Sequence, residues 1–341
     1  MTNKFVSGFA SVSGQRRSIQ FLTNLLQSKA IPHALLFTGN EGVGKNEIAL
    51  IFAAACNCTR RSPDYLSGGQ KGSDHPMIEP CGHCKSCRKI KSCNHPDVIQ
   101  ITPDNHTIKI DQIRSICRTL AMKPYEAKLR VVIIFDAQTM NTASANALLK
   151  VLEEPSEQTI FILIATQLSV LLPTIVSRCQ HFHFRPFSRN EIAAMLIQKH
   201  NLNEQDANIM ANMSNGSYSR ALAMNNDHRI NYRRWILHIM ESLSSKTIGS
   251  RLALAEKLSK NKDLLGYALR IILSYLRDIV IWKFRPEKII NSDIKQSISA
   301  ASQHVHINST LAKIRAIQKV QQNIDSNIKL RLALEILILE L

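Results

Sequence analysis

The stretch "HALLFTGNEGVGKNEIALIFAAA", residues 33–55, constrains this chain more than any other. A short β-rich apolar run, 33–39, turns through "GNEGVGKN" into a helical run. Gly39, Gly42 and Gly44 allow the backbone N–H groups to curl around phosphate oxygens. The helix start adds its positive end, and Lys45 is placed to reach terminal phosphates. Strand, glycines, lysine and helix all agree, which separates this segment from a chance Gly-rich turn. One position departs from the pattern. Asn46 stands where Ser or Thr would offer a hydroxyl to Mg²⁺, and an amide oxygen is a poorer substitute.

Around this turn the chain alternates strand-like and helical runs. Residues 97–102, 130–135 and 159–166 are short, β-rich and continuously apolar, as parallel strands covered on both faces are. Between them "IDQIRSICRTLAM" repeats Ile110, Ile113, Ile116, Cys117 and Leu120 at helical spacing, giving one buried face. The βαβ alternation predicts a doubly wound parallel sheet. Near Pro186 the character changes. A short helical stretch runs to about Asn226, and longer helices follow from "NYRRWILHIM". The last, "NIKLRLALEILILEL", is apolar nearly all round and is expected to be buried in its own bundle or against partner chains. Residues 62–76 read as a polar, Gly-rich loop.

The strand over 130–135 raises a functional question. In an ordinary ATPase with this turn, such a strand ends in an Asp that holds Mg²⁺, often followed by a Glu that orients the attacking water. Here the pair is Phe135 and Asp136. Continued strand alternation puts Asp136 on the opposite face from the metal position. Without that carboxylate and without a hydroxyl at Asn46, Mg²⁺ would be weakly held or absent, and hydrolysis should fall by orders of magnitude. ATP or ADP binding can survive.

The chain has eight cysteines, three of them in "PCGHCKSC": Cys81, Cys84 and Cys87. Such spacing fits metal ligation in a reducing compartment better than a disulfide framework. A fourth thiolate would close a tetrahedral Zn²⁺ shell of structural type. Cys58, Cys56, His83 and Cys93 all compete for that place on spacing alone. The apolar runs stop well short of the roughly 20 residues a bilayer span needs, and "MTNKFVSGFASVSG" lacks a signal peptide's apolar core, so a cytoplasmic protein with no membrane role is expected. The formal charge of +17 favours acidic partners, nucleic acid first, or else marks a solvated basic surface.

"GNEGVGK", "PCGHCKSC", "HPDVIQI", "NALLKVLEEP" and "LLPTIVSRCQHFHFRP" follow one another in the order found in bacterial clamp-loader subunits of the AAA+ class. The chain resembles that family over about 12–226, and its final helix is similar to the end of the family's collar. Several expectations come from the resemblance alone. The fold is an AAA+ P-loop α/β core with a zinc-binding insertion over 1–185, a small helical lid over 186–228 and an all-α collar over 229–341. The first zinc ligand ends the helix after the phosphate loop, at Cys58. Arg178 of "SRC" is an arginine finger, stabilising charge on the γ-phosphoryl group in a neighbouring subunit. Thr166 resembles the polar sensor and Arg220 the lid arginine, both relevant only when nucleotide binds. The implied partners are motor and delta-type subunits in a hetero-oligomeric ring, the sliding clamp and primed DNA. Glu153 and Glu154, before Pro155, read as solvated acids at the end of a scaffold helix. Two rival functions are an ATP-hydrolysing motor subunit and a zinc-dependent DNA-binding protein. Against the second, aromatic residues make up 6% of the chain and none flanks the cysteine cluster.

Overall fold

The computed structural model describes residues 8–28, 30–60, 79–120, 122–225, 227–243, 247–322 and 330–340. The polar loop read at 62–76 lies outside them. The chain divides into two compact units, 1–191 with 216–219, and 192–215 with 220–341.

The first unit is built on five strands: β1 (Ala34–Thr38), β2 (Val98–Ile101), β3 (Arg130–Ile134), β4 (Thr159–Ala165) and β5 (Gln180–His183). All pair in parallel in the order β2-β3-β4-β1-β5. Around them lie α1 (Arg16–Ser28), α2 (Lys45–Asn57), α3 (Lys85–Lys91), α4 (Ile110–Leu120), α5 (Thr142–Glu153) and α6 (Pro173–Val176). Every residue of β1, β3 and β4 is buried, which explains why these strands are apolar apart from Thr38, Arg130 and Thr159 at their ends instead of alternating. Leu36, Val132, Ile134, Phe161 and Leu163 pack against Ile113 and Ile116 of α4 and Leu148 and Leu152 of α5. β5 was not foreseen as a strand. Its sequence alternates buried Phe182 with more exposed His181 and His183, the pattern of an edge strand, and it is too short to stand out by itself.

The register brings three strand ends together. Thr38 pairs with Ala165 on one side and His183 on the other. The Gly39 N–H then donates to the Thr166 carbonyl at 3.1 Å, and the Phe184 N–H to the Thr38 carbonyl at 2.7 Å. The loop after β1 is thus held where the chain order of the sheet reverses, the edge at which open α/β sheets bind ligands.

A buried ion pair fixes the opposite edge. Asp97 and Arg130 approach to 3.6 Å with side chains 2% and 4% exposed. Asp97 accepts the N–H groups of Tyr125, Glu126 and Ala127 at 2.8–2.9 Å, and Arg130 donates to the carbonyls of Thr119, Met122 and Lys123. Burial alone would raise the Asp97 carboxyl, but the Glu126, Tyr125 and Ala127 N–H groups and the Arg130 guanidinium outweigh it and hold the pKa below the usual aspartate value. A carboxyl held down in this way contributes stability that is complete above its unfolded pKa and is lost as pH falls through the folded one. Asp97→Asn is therefore expected to cost about 3 kcal/mol near neutrality by stranding the Arg130 charge. In urea titrations at successively lower pH, the gap from wild type should narrow once the solution passes below about pH 4.

The second unit is helical among its described residues. It takes in most of α7 (Arg189–His200), then α8 (Glu204–Met213), most of α9 (Tyr218–Met224), α10 (Asp227–Ser242), α11 (Ile248–Ser259), α12 (Lys262–Trp282), α13 (Lys295–His304), α14 (Ile307–Gln322) and α15 (Leu330–Glu340). α12 is the central helix, packed by α10, α13 and α14, with Leu265, Leu269, Ile272 and Leu276 buried. Asp278 caps a turn by accepting the N–H groups of Ile290 and Asn291, and Arg233 clamps the same turn through Asp293 and Asn291. α15 is covered by the bundle on one side only. Leu334, Leu337 and Ile338 are buried, whereas Leu332, Ile336 and Leu339 are 53%, 52% and 42% exposed, because the bundle covers only one side of a helix that is apolar on both. Among the described residues no helix is long and apolar enough to cross a membrane.

Candidate functional site

The phosphate loop follows β1 directly. Gly39, Gly42 and Gly44 all have positive φ, 143°, 72° and 96°. A side chain at Gly39 would place its Cβ 2.3 Å from the Phe184 carbonyl oxygen, and one at Gly42 would meet the Ser219 and Ser217 hydroxyls at 1.9 and 2.3 Å. The loop is therefore packed from behind by β5's continuation and by the 216–219 segment, whose Ser219 N–H points at the Gly42 carbonyl at 3.4 Å. Neither serine was singled out by the sequence, since that contact joins segments far apart in the chain. Gln15 closes the other side, donating to the Val43 carbonyl at 3.3 Å and the Arg185 carbonyl at 2.8 Å.

Lys45 opens α2 and is 6% exposed. Its ammonium donates to the Gly39 carbonyl and, at 2.7 Å, to the Asn40 carbonyl. Burial lowers its pKa to about 8, against the pull of the Glu41 and Asp136 carboxylates. Asn46, the next residue, is exposed. The lysine charge, the positive-φ glycines and the N-terminus of α2 together make a cradle that fits phosphate oxygens.

The backbone at Asp136 removes the basis of the alternation argument. β3 ends at Ile134, and Asp136 takes a left-handed backbone, φ 49° and ψ 49°, at the head of a 3₁₀ turn over Ala137–Thr139. Once the pleat stops, strand alternation no longer sets the side of the Asp136 carboxylate, which accepts from the Gln138 side-chain amide at 3.3 Å. Phe135, at the strand-end position itself, is 7% exposed and is part of the core. Thr166 lies half-buried just past β4, its carbonyl joined to the loop through Gly39. Arg220 is an exposed residue of α9 and belongs to the helical unit.

The second constellation is the cysteine cluster. Cys58, Cys81, Cys84 and Cys87 hold their sulfur atoms within 4.8 Å of one another. Cys58 ends α2, Cys84 caps the N-terminus of α3, and Cys87 lies in its first turn. The Cys81 N–H points at the Cys58 Sγ, the Cys84 N–H at the Cys81 Sγ and the Cys87 N–H at the Cys84 Sγ, at 3.3–3.4 Å. Burial raises the Cys58 and Cys87 thiols. At Cys84 burial pulls the same way but is outweighed by N–H groups of Cys87 and Thr59, which bring the thiol to about 6. Four sulfurs this close, with backbone dipoles aimed at them, fit a tetrahedral metal whose metal–sulfur bonds of about 2.3 Å require sulfurs roughly 3.8 Å apart. These four can hold a metal ion. Cys56 is buried elsewhere on α2 and Cys93 is exposed, so among the rival donors it is Cys58 that joins the trio.

Arg178 lies in the turn between α6 and β5. Its Nη1 donates to the Thr174 carbonyl at 3.0 Å and its Nη2 to Glu153 Oε1 at 2.6 Å. The side chains are 34% and 50% exposed. Glu153, read from sequence as simply solvated, is thus the ion-pair partner of this arginine. No local signal could have marked it, because the two residues meet only through the packing of α5 on α6.

Comparison with known proteins gives the family of the chain. The family "DNA polymerase III, delta subunit" matches residues 14–188, and "DNA polymerase III, delta subunit, C terminal" matches residues 230–341. The chain is 30% identical over 331 residues to subunit delta' of DNA polymerase III from Bacillus subtilis (strain 168), covering 96% of each. It is 30% identical over 302 residues to subunit tau from the same organism, covering 82% of this chain and 51% of that protein. A solved structure of a DNA polymerase III gamma subunit-related protein from Thermotoga maritima shares 20% identity, with coverage of 93% and 97% and a TM-score of 0.41. The chain belongs to the delta' subunit family of DNA polymerase III.

Proposed function

We propose that this chain is the hydrolysis-poor member of a clamp loader, lending Arg178 in trans to a neighbouring motor subunit while the ring opens the sliding clamp and places it on primed DNA. The observation that carries this reading is the setting of Arg178. Its guanidinium is held by Glu153 and the Thr174 carbonyl, contacts outside the chain's own phosphate loop, and it remains partly exposed. A planar, permanently charged group with donors to spare suits a γ-phosphoryl group developing charge. Asn46 and the buried Phe135 support the hydrolysis-poor half of the reading, since neither offers Mg²⁺ an anionic or hydroxyl oxygen. Gly39, Gly42, Gly44, Lys45, Asn46, Thr166 and Arg220 would then bind ATP or ADP without turning it over. Zn²⁺ would occupy the four cysteines in a purely structural role, because a closed thiolate shell leaves no open coordination position. In this reading 186–228 acts as the lid and 229–341 as the collar that meets the motor and delta-type subunits. The apolar face of α15 is suited to such contacts.

The rival reading, a motor subunit that hydrolyses ATP, draws on the electrostatic pull that the Asp136 carboxylate exerts on Lys45. Steady-state turnover by the purified chain separates the two. The proposal expects hydrolysis at the level of the assay blank with Mg²⁺ present, alongside assembly into one complex with motor and delta-type subunits on size exclusion. Brisk turnover abolished by Lys45→Ala would establish the motor reading instead.

A further inference from the structure

We propose that Glu153 is the positioning residue of Arg178, an inference that rests on the trans-acting role of that arginine. An arginine on a surface turn ordinarily samples many rotamers, and a guanidinium delivered to another subunit must be aimed before the interface closes. Here two separate anchors fix it. The backbone at Arg178 is tied by its N–H to the Ile175 carbonyl at 3.1 Å, and the side chain is gripped at Nη1 by the Thr174 carbonyl and at Nη2 by Glu153. Glu153 is itself a fixed post. It is the final residue of α5, whose end is closed by the Glu154 N–H donating to the Lys150 carbonyl, and Leu152 beside it is buried in the sheet core. Only two of the guanidinium's five N–H donors are used in this grip, so the remainder can meet a phosphoryl oxygen while the carboxylate stays in place. Glu153 touches neither nucleotide nor reacting atoms; it acts through Arg178.

The test uses the reconstituted clamp loader with sliding clamp and primed DNA. The quantity read is the portion of ATP turnover that Arg178→Ala removes. Glu153→Gln is expected to lower the kcat of that portion about fivefold, the worth of an exposed ion pair of roughly 1 kcal/mol, with KM for ATP unchanged. Glu153→Asp, which keeps the charge, should recover more than half of the loss, and Glu154→Gln serves as the control for net charge. Assembly on size exclusion checks that each variant still enters the ring. If Arg178→Ala removes activity but Glu153→Gln and Glu153→Ala both run at the wild-type kcat or faster, or change only KM, the positioning role is wrong. If Arg178→Ala itself removes nothing, the finger reading falls, and the role of Glu153 with it.

Discussion

Arg178→Ala is expected to slow ATP hydrolysis at the one site this chain completes by roughly 10³-fold, the lower end of what a trans-acting arginine contributes in well-studied phosphoryl transfer. The physical reason is charge. In the transition state negative charge spreads over the γ-phosphoryl oxygens, and a guanidinium delivered into a dry interface stabilises it more than it stabilises bound ATP. The loss should therefore appear in kcat. Arg178→Lys should rescue little, because an ammonium lacks the planar fork that can meet two oxygens while another edge stays on Glu153. Sites completed by other subunits keep their own groups, so total turnover of the assembly should fall by this site's share. The measurement is steady-state ATP turnover by the reconstituted loader under clamp and DNA stimulation. Equal rates for wild type and Arg178→Ala would show that the arginine does no catalytic work.

The second large effect is expected at the cysteine cluster. Purified protein should carry one zinc per chain by elemental analysis, and Cys81→Ser or Cys84→Ser should lose it. Structural zinc sites contribute on the order of 10 kcal/mol of apparent binding free energy in small domains that do not fold without metal. In this chain the sheet has its own core, so part of the fold should survive. What depends on the ion is the return of the chain to α2 and the placement of α3, whose N-cap and first turn carry Cys84 and Cys87. A loss of about 4 kcal/mol, read as a fall in Tm of roughly 10 °C, is the expected size for a unit of this length. Chelation of the wild type should reproduce it, and chelation of Cys81→Ser should do nothing further. Metal-free protein with unaltered Tm would refute a structural ion.

Much of the first unit was legible because the relevant signals are local. A strand buried on both faces is apolar along most of its length, and β1, β3 and β4 are so apart from Thr38, Arg130 and Thr159 at their ends, so their runs could be read directly. α4 announced itself by the spacing of Ile110, Ile113, Ile116, Cys117 and Leu120, of which Ile113, Ile116 and Leu120 are buried and Ile110 and Cys117 half-buried. β5 did not, because four residues of alternating His and Phe carry too little periodic signal to outweigh their neighbours. The limit of the strand rule is equally physical. It placed Asp136 on the far side only by extending β3 past Ile134, where the backbone has already turned left-handed.

The amino-acid sequence alone determined the phosphate loop, its missing hydroxyl at Asn46, the runs of β1 to β4 and of α4, and the trio Cys81, Cys84 and Cys87, since each depends on residues within a turn or two of one another. Tertiary structure decided the rest. It chose Cys58 as the fourth sulfur, seated Ser217 and Ser219 behind Gly42 and set Glu153 against Arg178. Most of these contacts join groups many residues apart, and all depend on how the elements are packed. No periodicity or spacing encodes them; they exist only once α2, α5, α6 and the strand ends have packed around a common sheet.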